Sequence, residues 1–401
     1  MSRKLSRASW LTVLAAIALL CARPAIARNP PGLEKYVGQY QVTGDFFVSV
    51  TLENGKLMLQ ATGQPRLSLA SQSGDNFVIE GTQIKISFVK DAQGEVTQMF
   101  IHQGAADVAA KKISSQAGPP PTDKSAHKAG FVSANGIKMH YLDWGGTGDV
   151  LLLLTGFGDN AHVFDDFAPR FTDRFRVVAL TRRGFGETER PQTGYELAAR
   201  VEDIRAFLDA MKIERANVVG HSLAGDEMTL LATRYPQRVI KMVYLDAAYD
   251  RATAFDCAMN PPGGMPPLYK RLLMEALNCP GAAAVTVTEM PPPDVYNVLV
   301  STMRSASAFH PNYSKVKAPA LAIYSDIEKP EMLMPLDEET GKKFAAWWKT
   351  EQVPKSRASI EQFRKEMKGG QVAEIKDADH YLFRGKTADE VYRLTRAFLL
   401  K

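Results

Sequence analysis

Ser222 stands in "NVVGHSLAGDE" (217–227), where residues suited to a β-strand run into Gly220-His221-Ser222-Leu223-Ala224 and then a helix-like segment. A serine hydroxyl thrust out on a sharp strand-to-helix turn needs small neighbours, because its backbone is strained there. The same turn places it beside the free N–H groups of a helix N-terminus, which suit a developing oxyanion. The plain alternative is a serine that only caps its helix. The usual elbow pattern is G-x-S-x-G; here Ala224 takes the last position and Gly225 follows one residue later.

A nucleophilic serine needs a base, and on an α/β sheet the chain order is serine, acid, histidine. Two histidines follow Ser222: His310 in "AFHPNYS" and His380 in "EIKDADHYLF". His380 sits between the last strand and the last helix, where the base belongs, and is the expected one. Three carboxylates compete for the acid. Asp246, in "YLDAAYD" at a strand tip, is favoured; Glu328 and Asp326, in "YSDIEKP" after a later strand, are the alternatives. An oxyanion hole needs two backbone N–H groups. Leu223 and Phe157, the latter in the Gly156-Phe157-Gly158 turn after "LLLLT", are the expected donors. Arg182 and Arg183 suit loop support by pairing with nearby acids better than an anion site. His162 and His221 suit packing or loop anchoring. Met259, Met265, Leu272 and Met274 suit either an apolar acyl pocket or the core of a cap.

The elements that must position these residues come from residues 129–401. Continuous apolar strands ("VLLLLTG", "FRVVALT", "ANVVG", "VIKMVYLDAA", "PALAIYS", "QVAEIK") alternate with amphipathic helical segments, of which "LAARVEDIRAFLDAMK" and "ADEVYRLTRAFLLK" are the clearest. That pattern predicts an α/β domain with a mainly parallel sheet covered on both faces. Prolines, methionines and short helices interrupt the rhythm over about 250–316 and read as an inserted cap. Residues 30–113 read as a small antiparallel all-β domain, with short strands at regular spacing and a hairpin signal at Asn54-Gly55. "SSQAGPPPTDKSAHK" (114–128) reads as a stiff, Pro-rich linker.

The pieces "TGFGDNAHVFDDFAPRF", "TRRGFGETERP", "VVGHSLAGDEMTLLATRYPQRV", "VYLDAA" and "DADHYLF" resemble the α/β-hydrolase superfamily in its serine esterase and lipase-like branch. They lie in family order across nearly all of 129–401. The resemblance implies a serine hydrolase that cleaves carboxylic esters through an acyl-enzyme, with a small-molecule ester as substrate and no cofactor or metal. An amidase or peptidase on the same fold is the nearest alternative, and a silent ligand-binding module the third. Two positions depart from the family. Thr155 stands where a histidine often precedes the glycine of the oxyanion loop, and Thr181 where an aspartate often precedes R-G-x-G. The all-β block, through "YVGQYQV" and "VSVTLENGKLMLQATGQP", is similar to a lipocalin-like domain appended to penicillin-binding-type serine hydrolases.

The first residues read as an export signal. A basic start (Arg3, Lys4, Arg7) precedes the apolar run "WLTVLAAIALL" (10–20), too short for a membrane span, and Ala25-Ile26-Ala27 fits a cleavage site. Residues 1–27 carry those three cations and Arg23 and no acid, so their removal takes the formal charge from +5 to +1. A periplasmic or secreted chain with no basic stripe for nucleic acid and no remaining membrane span is expected. Removal also takes away Cys21 and leaves Cys257 and Cys279, a possible disulfide in an oxidising compartment. Oligomeric state is not legible in the sequence.

Overall fold

The computed structural model describes residues 32–41, 47–61, 66–80, 84–103, 106–116, 125–265, 267–287, 290, 293–330 and 338–401. The expected signal, most of the linker with its three prolines, and Cys21 lie outside the described residues.

The first unit is a closed antiparallel barrel of eight strands. They are β1 (Gly38–Gln41), β2 (Phe47–Glu53), β3 (Lys56–Ala61), β4 (Leu67–Ser71), β5 (Asn76–Ile79), β6 (Lys85–Lys90), β7 (Val96–Gln103) and β8 (Ala106–Ser114). Each pairs with its neighbour, and β1 closes on β8. Period-two alternation turns one face inward. Tyr40, Val48, Val50, Leu57, Leu69, Phe77, Ile86 and Met99 are almost wholly buried there. Tyr36, Phe77 and Phe88 stack with ring centroids 4.6–5.6 Å apart. Asn54 and Gly55 take φ of 50° and 77°, the left-handed pair that a two-residue hairpin turn requires.

The second unit is built on one mixed sheet in the order β16-β15-β14-β13-β11-β12-β10-β9. Its strands are β9 (Lys128–Ala134), β10 (Ile137–Gly145), β11 (Val150–Leu154), β12 (Arg176–Leu180), β13 (Ala216–His221), β14 (Val239–Leu245), β15 (Ala320–Tyr324) and β16 (Gln371–Glu374). β11 to β16 run parallel; β9 and β10 form an antiparallel edge. The helices are α1 (Leu197–Ala210), α2 (Ala224–Arg234), α3 (Arg251–Ala254), α4 (Pro267–Ala276), α5 (Pro293–Ser307), α6 (Glu338–Trp347), α7 (Val353–Glu366) and α8 (Ala388–Leu399). Two apolar cores lie on opposite faces of the sheet. Val218, Met242 and Tyr244 pack with α1, α2 and α7, while Leu151, Val219 and Val243 pack with Phe164, Phe171, Phe383 and α8. Burial on both faces explains the unbroken apolar reading of β13, where all six residues are buried.

Between β14 and β15 the chain makes α3, α4 and α5. There Cys257 and Cys279 are bonded, with sulfurs 1.99 Å and Cα atoms 5.5 Å apart. Two features were not anticipated. β9 is a whole strand, joined to β10 by Asn135-Gly136 at φ 47° and 75°, the same turn chemistry as in the barrel. Helices α6 and α7 lie between β15 and β16, joined by one π-helical stretch, Trp348–Gln352. Among the described residues, no helix is long and apolar enough to cross a membrane.

Candidate active site

Ser222 follows β13 directly and has φ 52°, a left-handed conformation that serine takes only where its surroundings impose it. Its N–H donates to Leu245 O at 3.1 Å, and Gly225 N–H donates back to Ser222 O at 3.0 Å. The chain therefore turns sharply into α2. Ala224 in the last elbow position is explained by where the close approaches fall. A Cβ on Gly225 would lie 2.0 Å from Ala247 O, and one on Gly220 would lie 2.6 Å from Met228 Sδ and 3.0 Å from Ala224 Cβ. Glycine is required at 225, where the obstacle is backbone; at 220 a Cβ would press on the movable Met228 side chain, and the alanine methyl at 224 is simply buried.

Asp246 follows β14, the strand next to β13, and also has a positive φ of 48°. Its N–H donates to Ile323 O at 2.7 Å, which fixes it to β15. The loop after β16 brings His380 to it: His380 Nδ1 and Asp246 Oδ2 are 2.7 Å apart. Asp246 Oδ1 accepts from Tyr249 OH at 2.6 Å and from Ser325 N–H at 3.0 Å, and Oδ2 also accepts from Ser325 Oγ at 3.0 Å. Burial pushes this carboxyl up, but His380, Tyr249 and Ser325 together hold it below its ordinary value. It is a carboxylate, so Nδ1 of His380 carries the proton between them.

The other two acids are engaged elsewhere. Asp326 braces the loop that carries His380: its N–H donates to Ala378 O at 3.2 Å, and its Oδ2 accepts from Asp377 N–H at 2.9 Å. Glu328 is half exposed and faces Arg357 at 3.5 Å. His310 is also exposed and pairs with Asp250 at 3.0 Å.

Three further residues hold the site: His221, expected to pack or anchor a loop, and Asp159 and Tyr249, to which the sequence pattern gave no role. His221 is fully buried and donates from Nε2 to His380 O at 3.0 Å, so the residue before the serine anchors the backbone of the histidine. Its Nδ1 stands 3.6 Å from Asp159, beyond hydrogen-bond range, and burial and the nearby His380 push its pKa down. Asp159 in turn accepts from Tyr381 OH at 3.2 Å. The third is Tyr249, described above. The loop-anchoring expectation for His221 is met by its bond to His380 O, whereas Asp159 and Tyr249 carried no sequence signal.

The Gly156-Phe157-Gly158 turn follows β11, beside β13. A Cβ on Gly156 would sit 2.8 Å from His221 Nδ1, so this loop lies directly against the residue before Ser222. Phe157 packs edge-on against Phe185, centroids 5.7 Å apart. Leu223 opens α2, where the first N–H groups have no partner within the helix. Arg182 and Arg183 pair with buried acids, as their position suggested: Arg182 with Glu227 at 2.6 Å and Arg183 with Asp203 at 2.5 Å. Thr181 Oγ1 is shared between His140 Nδ1 and Ala161 N–H, both at 3.0 Å. Among the described residues, no group of three or more His, Cys, Asp or Glu is placed to hold a metal ion.

The second unit has the α/β-hydrolase fold: a family model described as "alpha/beta hydrolase fold" matches residues 149–275, which contain Ser222 and Asp246. A model of a domain of unknown function matches residues 22–116. Among curated proteins, the chain is 34% identical over 101 residues to 2-(acetamidomethylene)succinate hydrolase of Mesorhizobium japonicum, covering 25% of this chain and 36% of the relative. It is 30% identical over 118 residues to epoxide hydrolase 4 of Mus musculus, covering 29% of this chain and 33% of that protein. The chain thus spans about a third of the length of the curated relatives it matches. Among solved structures, E-2-(acetamidomethylene)succinate hydrolase aligns with a TM-score of 0.49 at 20% identity, over 69% of this chain and all of that one.

Proposed function

We propose that this chain is a serine hydrolase of carboxylic esters. Ser222 attacks the ester carbonyl, and His380 Nε2 takes its proton. Asp246 holds the imidazole in the Nδ1–H tautomer and stabilises the imidazolium. The N–H groups of Leu223 and Phe157 receive the oxyanion. His380 then gives its proton to the departing alcohol, and water resolves the acyl-enzyme by the same steps in reverse roles.

The observation that carries this reading is the 2.7 Å contact of His380 Nδ1 with a buried, multiply hydrogen-bonded Asp246, one strand over from a serine at φ 52°. Serine at the elbow separates this chain from aspartate-nucleophile chemistry such as epoxide opening, whatever its similarity to a protein of that name. The barrel interior is filled by its own aromatic and aliphatic side chains, which counts against a ligand-binding barrel as the chain's main purpose. We also propose that residues 1–27 direct export, so that the working protein begins at Arg28 with a formal charge of +1; N-terminal sequencing of the periplasmic or secreted form tests this.

The test of function is turnover of a nitrophenyl ester series of increasing acyl length by the wild type and by Ser222→Ala. Activity on at least one ester that falls by about 10⁴-fold or more in the variant supports the reading. Equal turnover by both proteins overturns it.

A further inference from the structure

Behind the oxyanion loop lies an ionic cluster that the proposed chemistry does not use. Arg182, Glu227 and Arg200 are each at most 6% exposed. Arg182 donates from Nε and Nη2 to the two oxygens of Glu227, at 2.6 and 3.0 Å. Its outward face donates from Nη1 to Gly156 O at 2.6 Å and from Nη2 to Thr155 O at 2.5 Å. Those carbonyls belong to the two residues immediately before Phe157, whose N–H is one of the two proposed oxyanion donors. Glu227 lies on α2, the helix whose first turn supplies the other donor, Leu223. Arg200, on α1, holds Glu227 from a third side, Nε to Oε1 at 2.8 Å, and is itself tied to Tyr195 O at 2.5 Å. Burial pushes Glu227 up, but the two guanidinium groups outweigh it and keep it ionised.

We propose that Arg182, aimed by Glu227, is a positioning residue for the oxyanion hole, and that it holds the Thr155–Phe157 backbone at a fixed distance from α2. It does so where Thr155 supplies no side-chain anchor: its hydroxyl is buried and bonds to no protein group. The guanidinium suits this task because it presents parallel N–H donors on two edges, one for the carboxylate and one for the paired carbonyls. A lysine ammonium at the same place has no such planar fork. The geometry matters because a donor shifted by about 1 Å costs on the order of 10²-fold in rate.

This inference rests on the proposed esterase chemistry. Its test compares Arg182→Lys and Glu227→Gln with Arg183→Lys, which alters a comparably buried ion pair that touches neither loop carbonyl. Rates are expressed per Ser222 titrated with a fluorophosphonate, so that unfolded protein does not count. Binding of a trifluoromethyl ketone, which forms a tetrahedral anionic adduct, is measured beside kcat and KM. The expected result for Arg182→Lys and Glu227→Gln is a kcat lowered by about 10²-fold, KM within about threefold, and a parallel loss of ketone affinity. Arg183→Lys is expected to lose thermal stability and to keep kcat per titrated site. Unchanged kcat and ketone affinity in Arg182→Lys, or an equal loss in Arg183→Lys, overturns the positioning role. A wild type with no Ser222-dependent turnover overturns the esterase reading, and this inference with it.

Discussion

Asp246 is a carboxylate that burial alone would neutralise and that its partners keep ionised. Tyr249 OH, Ser325 N–H and Ser325 Oγ saturate it on the sides that His380 does not use. In the proposed mechanism, a charge held this way would need little reorganisation when the imidazolium forms. Asp246→Asn presents an amide to Nδ1, favours the wrong tautomer, and is expected to lower kcat by about 10⁴-fold. Glu328→Gln is expected to leave kcat within about twofold, because its carboxylate faces Arg357 at the surface. Steady-state rates of the two variants check both statements, and the opposite ranking would make Glu328 the acid. At this scale the turn that carries Ser222 and the loop that carries His380 were legible from chain order and from the small residues around the elbow. The acid was not, because Asp246, Glu328 and Asp326 all satisfy chain order. Only the fold of the loop after β16 separates an acid that touches His380 from one that braces its loop. Arg182 was legible as a loop support, but its grip on Thr155 and Gly156 was not, since those contacts join segments 26 and 27 residues apart.

At the scale of elements, the parallel strands were legible because burial on both faces leaves an unbroken apolar run. Strand β9 was missed although Asn135-Gly136 carries the same turn signal as Asn54-Gly55, because its residues are mostly exposed and it lies at the sheet edge. Helix α7 was missed because it buries only Val353, Ser359, Ile360 and Phe363, a thin stripe, and because Pro354 interrupts the pattern. That proline sits directly after the π-helical stretch Trp348–Gln352, in the first turn of α7. The segment between β14 and β15 is tied by the Cys257–Cys279 bond, which encloses α4. Closing a loop of that length stabilises by about 3 kcal/mol in the chain-entropy view. Replacing both cysteines by serine is therefore expected to lower the melting temperature and to expose 257–279 to limited proteolysis first. An unchanged melt with and without reductant would contradict this.

For the whole molecule, the buried ionisable groups set how stability depends on pH. His140 is packed against Phe131 and near His127 and His162, and its Nδ1 meets Thr181. Burial first, and then the two neighbouring histidines, push it down to about 4 from 6.5. Because the folded value is depressed, the unfolded chain binds the extra proton between pH 6.5 and 4. Its contribution is complete above about pH 6.5 and is lost as the pH falls through that window, up to about 3 kcal/mol. Asp226 works in the opposite sense. Burial, opposed by Arg251 and Arg200, raises it to about 6, so its folded form gains stability as the pH falls from 6 towards 4. The two partly cancel in the wild type. His221, Asp246 and Glu227, whose values are also depressed, add to the acid loss, so His140→Gln is expected to remove only the share of His140 and to leave a melting temperature that declines less from pH 6.5 to 4.5. Thermal melts across that range check it, and a difference between variant and wild type that does not change with pH would contradict it. At this scale the two-part organisation was legible from the change in period near residue 128. Closure of the first part was legible only in part, through the lipocalin-like resemblance, because β1 and β8 are distant in sequence and only their pairing closes the sheet.

The most direct test of the central claim is labelling of the wild-type protein with a fluorophosphonate, followed by mass spectrometry of its peptides. The expected result is one phosphonyl adduct on Ser222, formed at a rate that falls sharply in His380→Ala and Asp246→Asn. No adduct, or an adduct on another serine at a rate indifferent to His380, would contradict the claim that Ser222, His380 and Asp246 act as one nucleophilic site.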